Sequence, residues 1–223
     1  MNPLACFAAI AVILIGAHEA SGAGTTQLVI APRSSLVLSG SSNVTGWRCT
    51  GTTLEGRMEV AAPVEKVNEV IDRIEDGNIG PWMSNPAAGR FPPPRFDLTI
   101  PITSLRCTGG RPMEKDMTRA LKADRIPAIT FRFTGLRSGI THHIDDRQFE
   151  ATIAGQLSLA GVTREISFPV TARRLSRSQF RLTADMSVRM TDFGVAPPTA
   201  LFGVIKAANE LSVRLDLTVE VVR

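Results

Sequence analysis

The sequence predicts an all-β fold, an antiparallel β-barrel of about eight or nine strands with one or two short helices. Three observations predict it. From Phe96 to the end of the chain, apolar residues recur at every second position in one segment after another, the mark of strands with one face buried and the other in water. The segments are joined by short turns with little helix between them, so the sheet is antiparallel, and closing it on itself removes its edges. A chain of 223 residues, 43% hydrophobic and 21% charged, is long enough to bury one core, and barrels of this size form single domains.

In chain order the first element is an export segment. Pro3 to Ala17 is almost wholly apolar and runs into Ala20-Ser21-Gly22-Ala23 before the polar Thr25-Thr26-Gln27. That reads as a signal peptide over residues 1–23, with the barrel domain over 24–223 and a periplasmic or secreted location. The apolar run is roughly 15 residues, short of the roughly 20 that a membrane-spanning helix needs. Met1-Asn2-Pro3 carries no basic residue, and Cys6 precedes the apolar run, which makes a poor lipoprotein signal.

Gln27 to Ile30, Ser35 to Ser39 and Leu54 to Ala61 give weaker strand signals. Clear alternation begins with Phe96, Leu98, Ile100 and Ile102, and returns at Ile129, Phe131 and Phe133. It continues at Phe149 to Leu159, at Ile166, Phe168 and Val170, along Phe180 to Met190, and along Leu211 to Val221. Two segments break the period. Val64, Val67, Ile71 and Ile74 fall at helical spacing among acidic and basic residues, and lead into a Pro- and Gly-rich loop over Gly77 to Arg95 with Trp82, Met83 and Phe91. This loop is a lid over a barrel mouth or a plug in one end. Met113, Met117 and Leu121 mark a second helix within Pro112 to Ala123, packed against a barrel end.

Beyond the export segment two cysteines remain, Cys49 and Cys107. An even number in an oxidising compartment favours a disulfide, with two buried free thiols as the alternative. The formal charge is +4, but the arginines alternate with apolar residues, as at Arg132, Arg181, Arg189 and Arg214, rather than clustering. No nucleic-acid surface follows from that, although a transient contact with an anionic membrane surface stays open.

Candidate chemistry is sparse. His142 and His143 lie in a polar turn before Asp145 and Asp146. Adjacent residues on a strand point to opposite faces, so the four make a poor metal site, and a hairpin turn is the expected reading. No nucleophile constellation, desolvated carboxylate pair or phosphate loop stands out, and neither a catalytic residue nor a cofactor is assigned.

Leu157-Ser158-Leu159-Ala160-Gly161-Val162-Thr163-Arg164, followed by Phe168-Pro169-Val170, resembles the signature of the YceI-like family. Ile126-Pro127-Ala128-Ile129-Thr130-Phe131 upstream is similar to the family's entry into a strand. Met190-Thr191-Asp192-Phe193-Gly194-Val195, with Pro197 to Gly203, is similar to the segment before its last strand. The chain departs from the family in a longer Val64 to Arg95 segment and in Arg33-Ser34-Ser35, where the family has a His-Ser motif. The resemblance implies a lipocalin-like barrel with an elongated apolar cavity, some members binding polyisoprenoid chains.

The expected function is therefore a binding or carrier protein for a long apolar lipid, with an isoprenoid as the guest. Candidate cavity residues are Phe131, Phe133, Phe168, Met186, Phe193, Leu201 and Phe202, for each of which plain core packing is the competing reading. A filled barrel acting as an interaction module is the alternative. An enzyme would need His142, His143 or Asp192 turned inward. Whether the chain forms a homodimer is left open.

Overall fold

A computed structural model of the protein describes residues 24–75, 94–137, 141–143, 148–200, 202 and 204–222. Its strands are β1 (Thr26–Ile30), β2 (Ser35–Ser41), β3 (Gly46–Gly51) and β4 (Glu55–Val60), followed by helix α1 (Val64–Glu75). Next come β5 (Arg95–Pro101), β6 (Arg106–Cys107), helix α2 (Gly110–Ala120), β7 (Ala128–Leu136) and β8 (Thr141–His143). The remainder is β9 (Gln148–Leu159), β10 (Val162–Arg174), β11 (Gln179–Arg189), a small hairpin of β12 (Thr199–Ala200) and β13 (Ile205–Lys206), and β14 (Glu210–Val221).

The ring runs β1, β4, β5, β7, β9, β10, β11, β14 and back to β1, every pairing antiparallel. It is a closed barrel of eight staves. β2, β3 and β6 lengthen three of them at one end, because β2 continues along β14 where β1 leaves off, β3 pairs with β2, and β6 pairs with β3. Closure thus depends on β14 serving β1 along one half and β2 along the other.

The change of partner happens at Ala31-Pro32-Arg33-Ser34. The Ser34 amide donates to the Ala31 carbonyl at 3.1 Å, a tight turn in which Pro32 takes the position that suits its fixed φ and lack of N–H. A turn would interrupt the ladder, yet the groups on β14 stay paired. The Ala31 amide donates to the Thr218 carbonyl at 2.7 Å. The buried Ser34 hydroxyl accepts from the Thr218 amide at 2.9 Å and donates to its carbonyl at 3.3 Å.

Cys49 and Cys107 face each other across the β3–β6 pair and are disulfide-bonded. The bridge spans 58 residues, and in the chain-entropy account a loop of that length stabilises the fold by about 4 kcal/mol. It also anchors the chain just ahead of α2, where the Glu114 carboxylate accepts from the Cys107 amide at 3.3 Å. The β9–β10 hairpin turns through Ala160 and Gly161, both at positive φ, 51° and 88°. A two-residue turn of this handedness matches the twist of its strands.

The alternation read from the sequence corresponds to these staves, and α1 begins at the expected Val64. α2 differs in extent, since Gly110 opens the helix and the chain leaves it after Ala120, with Lys122 at φ 56°. β3 and β6 carry no clear period in the sequence; pairing with β2 and the disulfide holds them. His142 and His143, expected in a turn, form β8 against Gln148–Phe149 of β9. The 77–93 loop, including Trp82, Met83 and Phe91, lies outside the described residues, as do Asp145 and Asp146.

Outward positions carry charge, as the spacing of the arginines predicts. Arg132 bonds Asp97 at 2.9 Å and Arg214 bonds Asp185 at 2.8 Å, each across neighbouring strands. Arg181 grips both carboxylate oxygens of Asp216, with Nε–Oδ1 at 2.8 Å. The hydrogen bonds from Arg181 hold the Asp216 carboxyl below the usual aspartate range, against a smaller opposing effect of burial.

Replacing Ser34 by Ala leaves the Thr218 amide without its partner and should lower stability in urea by about 1–3 kcal/mol. The double variant Cys49→Ser/Cys107→Ser should lose about 4 kcal/mol by the same measurement. Because the folded pKa of Asp216 is depressed, its contribution is complete above the ordinary aspartate range and disappears as pH falls through the lowered value. Asp216→Asn should therefore cost under about 1 kcal/mol at neutral pH and nothing in strong acid, so that the two unfolding curves converge as pH falls.

Candidate functional site

The same alternation that makes the outer face charged makes the inner face apolar. Phe180, Leu182, Ala184, Met186 and Val188 of β11 project inward, as do Leu211, Val213, Leu215, Leu217 and Val219 of β14. β9 and β10 add Ile153, Leu157, Leu159, Ile166, Phe168 and Val170. What this interior becomes depends on how it is filled along its length.

One end is filled. α1 lays Val67 and Ile71 against Leu28, Val60, Phe149, Ala172 and Phe180, all of them buried. Polar contacts fix the helix there. Asn68 Nδ2 donates to the Arg177 carbonyl at 3.0 Å, and Arg174 donates to Asp72 at 2.6 Å, both reaching from the β10–β11 hairpin. The helix thus plugs this end, while the loop expected to be a lid or a plug falls on residues 76–93, outside the described residues.

Above the plug a row of rings crosses the barrel. Phe131 lies tilted between Phe96 and Phe168, with centroid distances of 6.4 and 5.5 Å, in the range where such pairs attract. The row needs Gly155 on β9, because a Cβ there would come within 2.3 Å of the Phe131 ring. At the opposite end from α1, Met117 and Leu121 of the α2 region reach into the lining.

Between these features the barrel is hollow. Leu157, Ile166, Leu182, Met186, Leu211, Val213 and Leu215 all point inward and yet keep part of their surface accessible. The cavity volume is about 160 Å³. By a comparable measure one water needs only about 10–15 Å³, so the space has room for on the order of ten. Among the described residues that line it, Thr183 is the one with a hydroxyl, and none is titratable. Water there would find almost no hydrogen-bond partner, which favours an apolar occupant.

Of the candidate cavity residues, Phe131, Phe133, Phe168 and Met186 line this space. Phe193 does not. It is buried in the core at the 3-10 turn of Met190–Phe193, beyond the cavity wall. Phe202 is a correction. It is fully exposed, at φ 56° between β12 and β13, because that hairpin is fastened to the β2–β3 turn and not to the cavity wall. Leu201 lies outside the described residues. The aliphatic wall of Leu182, Leu211, Val213 and Leu215 completes the lining; its register is plain in the alternation, but aliphatic side chains carry no signal that separates a cavity wall from packed core.

Asp192 is exposed, and its carbonyl accepts from Arg164 Nε at 3.0 Å. The side chains of His142 and His143 lie outside the described residues. Among the described residues no three His, Cys, Asp or Glu side chains gather closely enough to hold a metal ion.

Solved structures share this architecture. A polyisoprenoid binding domain from Saccharophagus degradans, implicated in plant cell wall breakdown, is similar with a TM-score of 0.58 and 14% identity, over 87% of this chain and 98% of that one. BcnA of Burkholderia cenocepacia is similar with a TM-score of 0.54 and 13% identity, over 83% of this chain and 95% of that one. At such identities the likeness is one of fold. Among curated proteins the sequence has no significant match. The description of the YceI-like domain, however, matches residues 36–220, from the second stave segment almost to the end of the last, and the chain belongs to the YceI-like family.

Proposed function

We propose that the protein binds a long apolar lipid, a polyisoprenoid by class, and carries it between membranes outside the cytoplasm. The observation that carries this reading is the hollow, almost wholly apolar interior of a closed barrel. A filled barrel serving as an interaction module needs a packed interior, and the half-accessible inward side chains do not form one. Membership of the family and the polyisoprenoid binding domain with the same fold add support for the guest's class.

A guest would touch the wall by dispersion alone, without a hydrogen bond to anchor a headgroup. Met58, Met117 and Met186 line the space, and unbranched methionines adjust to irregular shapes better than β-branched residues do. They are the wall groups that can turn aside to lengthen the cavity for a chain longer than it now holds. A lipid leaving a bilayer moves from one apolar medium to another, so the net gain is small compared with transfer from water, as reversible transport requires. The Cys49–Cys107 disulfide suits an oxidising compartment, which supports export.

Protein purified from its own host should release a stoichiometric isoprenoid lipid on organic extraction, read by mass spectrometry; an empty protein that also takes up no added polyprenol would sink the proposal. Val213→Trp places a large ring into the open part of the cavity. It should weaken uptake of an apolar fluorophore at least tenfold while leaving the melting temperature within a few degrees, as expected for a residue that keeps accessible surface.

A further inference from the structure

The exposed apolar side chains of the described residues are not evenly scattered. Six large apolar side chains are exposed among them, and while Val29, Leu175 and Val222 lie elsewhere and keep under half of their surface, the three most exposed, Val44 at 66%, Val204 at 68% and the fully exposed Phe202, sit on two loops fastened to each other. Ser42 bridges Ala207, and the Ala208 amide donates to the Ser41 carbonyl at 2.8 Å. Asn43 completes the join. Its Nδ2 donates to the Val204 carbonyl at 2.9 Å, its Oδ1 accepts from the Lys206 amide at 2.8 Å, and its own amide donates to the Lys206 carbonyl at 3.1 Å. The β2–β3 turn and the β12–β13 hairpin therefore form one platform that holds three apolar tips outward.

Two further features give the platform a direction. From Ser39 to Leu54 and from Phe193 to Asn209 the chain has no Asp or Glu, while Arg48 and Lys206 are present and Asp192 and Glu210 lie just outside these stretches, so the platform's own loops carry positive charge only. The platform is also continuous with the cavity. Leu38 on the strand entering the turn, and Leu211 and Val213 on the strand leaving the hairpin, line the hollow. Between wall and tips the half-buried Trp47 lies over Gly40, where a Cβ would come within 2.3 Å of the indole.

We propose that this platform docks on anionic lipid bilayers, with Val44, Phe202 and Val204 entering the boundary between headgroups and acyl chains and Arg48 and Lys206 meeting the lipid phosphates. Apolar tips flanked by basic side chains are what shallow insertion into an anionic interface requires. The proposal rests on the carrier reading for its purpose, since it brings the hollow's wall to the source of the lipid, but the contact itself stands on the platform's own chemistry.

The test is co-sedimentation of the purified protein with phosphatidylcholine vesicles, with and without phosphatidylglycerol. Binding should be at least tenfold stronger to the anionic vesicles and should weaken in 1 M salt, where charges are screened beyond about 3 Å. The triple variant Val44→Ser/Phe202→Ser/Val204→Ser should lose at least tenfold in vesicle binding. Its melting temperature and its uptake of an apolar fluorophore should not change, because the three side chains are exposed and outside the cavity. Arg48→Glu/Lys206→Glu, which keeps the apolar tips, should lose the preference for anionic vesicles. Docking by a protein that takes up no fluorophore would uphold this proposal and defeat the carrier reading. Fluorophore uptake with no binding to anionic vesicles would overturn the proposal alone. It is equally overturned if the triple variant binds vesicles like the wild type, or if the platform instead joins two copies, seen as a dimer in ultracentrifugation that the triple variant abolishes without any vesicle binding.

Discussion

Everything inside this protein depends on β14 holding two neighbours on the same edge. A sheet of eight staves encloses a volume only if its first and last strands pair, and here the first stave is broken into β1 and β2 by a turn. Left unrepaired, the break would put unpaired amides and carbonyls at the seam, where water would compete for them. Ser34 closes it by giving Thr218 both a donor and an acceptor. The turn also lets β2 diverge from β1, so that β2, β3 and β6 extend the wall at the end carrying α2.

The two ends of the barrel are then treated differently. At one, α1 brings aliphatic side chains onto a matching set of inward residues and is held by Asn68 and Asp72, so the interior there is packed. At the other, the disulfide and the Glu114 hydrogen bond position α2 beside the wall, and packing stops short of filling the space. The middle stays hollow where Phe131 leans over Gly155 toward its aromatic neighbours, so that the described residues cover the wall of β11 and β14 only in part. The hollow is thus a result of which residues are small as much as of which are large.

Much of this was legible in the sequence, for a definite reason. A two-residue period survives in any strand with one wet face, so the staves from β5 onward could be read directly, and the outward arginines with them. β3 and β6 could not, since Gly46–Gly51 and Arg106–Cys107 owe their strand geometry to partners distant in sequence. The cavity was half visible. Phe131, Phe133, Phe168 and Met186 lie where the alternation puts them, but periodicity says which way a side chain points and not whether anything meets it there. Phe202 shows the limit from the other side, for a large aromatic in an apolar stretch looks like core until the hairpin that carries it is seen to be fastened to the β2–β3 turn and not to the cavity wall.

A wall almost without hydrogen-bonding groups has a consequence for the motion of whatever occupies it. Directional contacts fix a guest in one register; dispersion contacts change little as a uniform chain slides past aliphatic side chains. A repeating tail in this hollow would have several nearly equal positions along the barrel axis, and would keep part of the translational freedom that tighter recognition removes. Selectivity then falls to thickness and branching instead of to the chemistry of the head.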